Sequence, residues 1–173
     1  MRDQSDLKKN YILTSLYQIL VILFPLIMTP YLTRTLGSEG VGKYAYYHSY
    51  AYYFTLFSML GIPNYGNMSI AKVSRNKWER TRVFGEIYKI QIAASLCVFL
   101  IYSEFVCFFF KENIISCMLG GYVFAYMFDI SWFFFGMEQF KVTLTRNFCI
   151  KIITIVFVFV SVMSENDVYK YAI

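Results

Sequence analysis

Charge is scarce in this 173-residue chain: 16% of its residues are Asp, Glu, Lys or Arg, against 58% that are hydrophobic. A water-soluble fold of this size has too few polar side chains to cover that much apolar surface, which excludes an ordinary globular domain. Histidine occurs once, at His48, and alone it supports neither a metal site nor a catalytic dyad. The four cysteines, Cys97, Cys107, Cys117 and Cys149, form no C-x-x-C pair. They read as free thiols in packed or lipid-facing positions, not as a disulfide framework or zinc site. No cofactor is implied.

Long apolar runs are what the chain has instead. A hydrocarbon layer about 30 Å thick needs roughly 20 apolar residues of helix to cross it. Five runs approach or exceed that length, at 11–32, 41–62, 87–110, 114–137 and 148–163. They are too long and too continuous for the alternating strands of a membrane β-barrel, so the expected fold is all-α, a polytopic transmembrane bundle of about five helices in one domain, 1–173. The first run follows Lys8 and Lys9 as a signal peptide would. It is too long for an h-region, lacks a small-x-small cleavage site and reads as a retained helix. Pro25 and Pro30 interrupt it, either as a hinge or as an ordinary packing kink.

The basic residues are distributed by side. Twelve lie in the N-terminal tail and the second and fourth connections: Arg2, Lys8 and Lys9; Lys72, Arg75, Lys77, Arg80, Arg82 and Lys89; Lys141, Arg146 and Lys151. Four, Arg34, Lys43, Lys111 and Lys170, fall on the other side. The positive-inside rule then places the N-terminus and the connections 63–82 and 138–147 in the cytoplasm. A net charge of +5 arranged in this way suits membrane topology and anionic lipid headgroups, not a nucleic-acid partner. Only Lys111, Glu112 and Asn113 separate the third and fourth runs, which predicts an antiparallel hairpin.

Several polar residues sit inside or beside these runs. Asp129, flanked by Tyr126, Phe128, Trp132 and Phe133, falls slightly cytoplasmic of the middle of the fourth helix, where an ionised carboxylate is costly and faces a bundle interior or a wet cavity. It is either a cavity-lining group that pairs with a cation, takes up a proton or contacts sugar hydroxyls, or a structural partner for a polar group on a neighbouring helix. Glu104 lies within the third run, about two turns from Lys111, and Glu86 at that helix's expected start. Tyr44, Tyr46, Tyr47, Tyr50, Tyr52 and Tyr53 surround His48 over about 15 Å of helix, deeper than an interfacial aromatic belt reaches. Some of them therefore face protein or a cavity, as packing residues or as platforms for sugar rings. The candidate cavity-lining or substrate-contacting residues are Asp129, Trp132, Glu104, Tyr46, Tyr50 and Tyr53; none is assigned a catalytic role.

Three segments carry a family resemblance: TPYLTRTLGSEGVGKYAY at 29–46, LGIPNYGNMSIAK at 60–72, and DISWFFFGMEQFK at 129–141. From about Lys9 onward the chain resembles the N-terminal part of the Wzx-type polysaccharide flippases, in the superfamily that also holds the multidrug and toxic-compound extruders. It departs at Met68, where relatives often carry an arginine, so a headgroup contact tied to that arginine is not carried over. The resemblance implies translocation of lipid-linked oligosaccharide across the bacterial inner membrane for surface polysaccharide synthesis. Membrane lipids and other polysaccharide assembly proteins would be its partners, and nucleic acid would not. Relatives have about twelve or more helices, so this chain corresponds to less than half of one and ends at the start of a further helix. Two other readings remain open. One is an integral-membrane polysaccharide-modifying enzyme, which calls for a paired His/Asp or an acidic loop cluster that is not visible. The other is a truncated fragment that inserts in the membrane and, expressed alone, fails to transport.

Overall fold

The computed structural model describes residues 4–59, 61–111, 113–164 and 167–172; the side chains of 4–14, 16, 17 and 20 are outside that description. Arg2, Leu60, Glu112 and Ile173, and the side chains of Lys8 and Lys9, therefore lie outside the described residues. The fold is all-α: α1 (Gln4–Met59), α2 (Ile62–Val73), α3 (Lys77–Phe109), α4 (Ile114–Ala125), a 3₁₀ turn (Tyr126–Phe128), α5 (Ser131–Gly136), α6 (Phe140–Ser161) and α7 (Val168–Tyr171).

The first two expected helices are the two limbs of α1, and no loop parts them. Only Gly37 leaves helical geometry (φ 71°, ψ 169°), a region that costs a residue with a Cβ dearly. Pro25 and Pro30 are carried inside the helix and do not end it. Side-chain pairings give the direction of each pass. The C-terminal limb of α1 runs antiparallel to α3, with Tyr50 on Phe110, Phe54 on Phe105, and Ser58 donating to Ser95 at 2.7 Å. Antiparallel packing of α3 on α4 follows from Phe99 on Phe124 and from Tyr102 Oη donating to the Ser116 carbonyl at 2.8 Å. Helix α6 returns against α5 and runs parallel to the N-terminal limb of α1, Lys151 over Phe24 and Tyr31 on Phe159. The chain therefore reverses at Gly37.

The connection expected at 63–82 is mostly helix. Gly61 turns left-handed (φ 77°), Pro63 in the first turn of α2 presets helical φ, and α2 continues the direction of the α1 limb. Helix α3 begins ten residues earlier than expected, because the Asn76 side chain accepts from the Trp78 and Glu79 amides at 3.2 and 3.5 Å. Glu79, not Glu86, is the acidic residue of its first turn; Glu86 lies further in and pairs with Arg82 at 2.9 Å. Likewise α6 starts at Phe140, so the expected loop 138–147 shrinks to a tight turn around Glu138 (φ 54°).

Among the described residues three helical stretches, Lys77–Phe109, Ile114–Gly136 and Phe140–Ser161, are long and apolar enough to cross a membrane. Their outer faces carry Ile90, Leu100, Ile153 and Val160, each more than half exposed. Such a surface is an aggregation liability in water and is matched to acyl chains in a bilayer. The core divides in two. A larger cluster joins α1, α3, α4, α6 and α7 around Leu36, Ala51, Leu119, Val123 and Val158, and a smaller one gathers Ile62, Ile70, Ile87 and Trp132 between α2, α3 and α5.

Beyond α6, Asp167 accepts from the Met163 and Ser164 amides, both at 3.1 Å, and pairs with Lys170 at 2.7 Å. The Lys170 hydrogen bond, then the Met163 amide, hold its carboxyl at about 2, below the ordinary 3.8. Because the folded value lies below the unfolded one, the stabilisation is complete above the ordinary carboxylate range and is lost as pH falls through about 2. Carboxyl-carbon titration should place the Asp167 midpoint near 2, and Lys170→Met should move it up toward 3.8. A midpoint near 3.8 in the unaltered chain would contradict the ion pair.

Candidate functional site

Two helix breaks lie side by side. One is at Gly61, between α1 and α2. The other divides the expected fourth helix 114–137: α4 ends at Ala125, the 3₁₀ turn follows, and Asp129 is extended (φ −77°, ψ 102°) before α5 begins at Ser131. Asp129 therefore does not sit mid-helix, as the apolar run suggests. It closes the break, its Oδ1 accepting from the Ser131 amide at 3.0 Å and from the Ser131 hydroxyl.

A break inside an apolar bundle frees backbone carbonyls that need donors. Gln91, fully buried on α3, supplies them. Its Nε2 donates to the carbonyls of Tyr126 and Met127, each at 3.3 Å, and of Asp129 at 3.0 Å. Its Oε1 accepts from Trp132 Nε1 at 2.8 Å, which fixes the indole. Trp132 packs on Phe84 and against Gly66 of α2, and Gly136 of α5 meets Ile70 in the same seam, so α2 and α5 run as a close pair. Small residues allow this approach.

Arg146 of α6 completes the site. Its Nη2 donates to Ser131 Oγ at 2.7 Å and lies 3.6 Å from Asp129 Oδ1, so a guanidinium, a hydroxyl and a carboxylate form one chain across α5 and α6. Beside them is a hollow of about 390 Å³ lined by Met59, Pro63, Asn64 and Asn67 on one side and Asp129, Ser131, Trp132, Phe135, Thr143 and Asn147 on the other. Thr143 is 2% exposed and its hydroxyl has no hydrogen-bond partner among the described residues. Among the described lining residues the arrangement offers neutral donors and acceptors, and its one carboxylate is already paired. Among the described residues no cluster of His, Cys, Asp or Glu is placed to hold a metal ion.

Of the residues singled out from the sequence, Asp129 and Trp132 meet at this hollow and the others do not. Glu104 is exposed on α3 and, among the described residues, has no hydrogen bond or ion pair. Tyr46 and Tyr50 form an aromatic cluster with Phe110, their hydroxyls 3.5 Å apart, and Tyr53 is 61% exposed. The tyrosine row is two-sided: Tyr44 and Tyr52 stack on His48, which also meets Tyr122 of α4. Gln91, Ser131, Thr143 and Arg146 were not apparent as site residues from the sequence. For Gln91 the available signal was an uncharged polar residue in the middle of a long apolar run.

An all-α membrane bundle with two adjacent discontinuous helices and a polar hollow between them defines the class. The chain belongs to the polysaccharide biosynthesis protein family, whose model matches residues 7–173. It is also similar to an Escherichia coli (strain K12) protein described as "Putative O-antigen transporter", 26% identical over 165 residues. That alignment covers 92% of this chain and 40% of the relative, so the chain spans less than half the relative's length. No solved structure gives a significant match.

Proposed function

We infer that this chain forms the N-terminal part of a transporter that moves lipid-linked oligosaccharide across the bacterial inner membrane for surface polysaccharide synthesis. The observation that carries the reading is the polar hollow between two broken helices in a chain of this family. Discontinuous helices in transporters open backbone and polar side chains to a substrate within the bilayer. The family and the relative's name point to transport and not to catalysis. In this reading Asp129 and Trp132 contact substrate or line its path, while Glu104, Tyr46, Tyr50 and Tyr53 serve the lipid-facing surface. The basic residues from Lys72 to Lys89 lie against anionic lipid on the cytoplasmic side, with the N-terminus there as well. One domain spanning 1–173 contributes one bundle, and membrane lipids and other polysaccharide assembly proteins complete its surroundings.

Deleting the complete reading frame that carries this chain should abolish surface polysaccharide, and restoring it should bring the polymer back; unchanged polysaccharide after deletion overturns the reading. Orientation has its own test. With the four native cysteines replaced, Ser74→Cys, in the turn before α3, should resist an impermeant maleimide in intact cells and react once the membrane is opened. Labelling in intact cells would invert the topology. Thr143 is unsuited to this purpose, because it is buried within α6.

A further inference from the structure

We propose that the hollow at the paired helix breaks is a carbohydrate subsite that takes one neutral pyranose unit; the proposal rests on the transport reading and names the part of the substrate this site holds. Three observations carry it. The first is charge. The single carboxylate among the described lining residues, Asp129, is compensated by Arg146 at 3.6 Å, so the site is neutral as a unit. A phosphate entering it would face the Asp129 carboxylate, and a metal ion would find that carboxylate already held by Arg146; a polyol meets neither penalty.

The second is the chemistry of the lining. Asn64 and Asn67 each carry a donor and an acceptor, Asn147 offers its amide donor while its Oδ1 accepts from Arg146 at 3.1 and 3.2 Å, and the Thr143 hydroxyl is both donor and acceptor. A sugar hydroxyl also donates and accepts, so paired carboxamides and hydroxyls match it more closely than they match any ion. Phe135 and Trp132 supply apolar wall for the C–H face of a ring, and the volume of about 390 Å³ falls within the roughly 300–1,000 Å³ typical of small-molecule sites.

The third is Thr143 itself. A threonine in a helix ordinarily satisfies its hydroxyl on the carbonyl four residues back, as Thr33, Thr35 and Thr154 do here. Thr143 makes no such bond, although it is 2% exposed and lines the hollow. A buried hydroxyl without a partner lowers stability, and a ligand hydroxyl in the hollow supplies the partner it lacks.

The test uses the protein from its complete reading frame in lipid nanodiscs, with saturation-transfer NMR against a panel of methyl hexopyranosides and N-acetylhexosaminides and with inorganic phosphate and sodium chloride as competitors. At least one sugar should bind saturably, and neither salt should displace it. Thr143→Val, which keeps shape and removes the hydroxyl, should weaken that sugar about fivefold to tenfold while leaving thermal stability unchanged or raised; Thr143→Ser should restore binding. No binding by any sugar, displacement by phosphate or sodium, or equal affinity in Thr143→Val overturns the subsite. If no sugar binds while deletion of the reading frame still abolishes surface polysaccharide, the subsite fails and the transport reading stands. If a sugar binds in a Thr143-dependent way and deletion changes nothing, the transport reading fails and the subsite stands.

Discussion

Gln91→Leu is expected to destabilise the protein by about 2–6 kcal/mol, because about two polar groups lose their partners and each costs about 1–3 kcal/mol. The carbonyls of Tyr126, Met127 and Asp129 share the Gln91 amide, and Trp132 Nε1 depends on its oxygen. Leucine fills similar space and satisfies none of them. Gln91→Glu keeps an acceptor for the indole but loses the paired N–H donors, so it should also be destabilised. Unfolding by denaturant in bicelles reads the loss, and the Trp132 emission should shift to the red as its indole is released. A change below about 1 kcal/mol would mean that the helix break does not depend on this side chain.

The second large effect is expected at the glycines of the α2–α5 seam. A Cβ at position 66 would lie 2.5 Å from Trp132 Cε3 and 2.7 Å from its Cδ2. One at position 136 would lie 2.7 Å from Ile70 Cβ and 2.8 Å from the Asn67 carbonyl oxygen. Neither neighbour yields easily. Trp132 is tied to Gln91 and stacked on Phe84, while Ile70 and the Asn67 backbone belong to α2 itself. Gly66→Ala and Gly136→Ala should therefore each cost about 1–3 kcal/mol or more through overpacking. They should also reduce transport, because the helices that part line the hollow. Gly85→Ala and Gly121→Ala are the controls: each Cβ would meet nothing within 4 Å, and alanine should stabilise those helices by up to about 1 kcal/mol. Equal effects at all four positions would rule out a close α2–α5 contact. Pairing Gly66→Ala with Trp132→Phe should recover part of the loss, since the smaller ring leaves room for the methyl.

The all-helical membrane bundle was legible because apolar runs long enough to span a bilayer dominate the chain, and among the described residues three helical stretches keep that length and apolarity. The breaks were not. Apolar composition is indifferent to whether a run is one helix or two, and what divides 114–137 is a tertiary contact, Gln91 reaching across from α3 to the freed carbonyls. Asp129 stood out because it is charged, whereas Gln91, equally unusual in its run, is not. Thr143 and Arg146 fell in a stretch read as loop because basic residues mark connections on average; here Arg146 is drawn onto Asp129 and Ser131, and α6 begins six residues before it. Helix α2 was concealed because the stretch from Pro63 reads as a connection, although proline in a first turn is equally a helix-start signal. Tyr46, Tyr50 and Tyr53 stand out in the sequence by their depth along the helix and their aromatic hydroxyl chemistry, neither of which tells the faces of a helix apart. Helical geometry sends them to one side of α1 and Tyr44, His48 and Tyr52 to another.

The measurement that bears most directly on the central claim is the sidedness of lipid-linked oligosaccharide in cells whose copy of the complete reading frame is deleted or carries Asp129→Ala with Arg146→Ala. Spheroplasts treated with an impermeant glycosidase should keep the oligosaccharide intact on its lipid until the membrane is opened, whereas spheroplasts with the unaltered protein should lose a large share of it at once. Oligosaccharide that remains equally accessible from outside after deletion would contradict a role for this protein in moving it across the membrane.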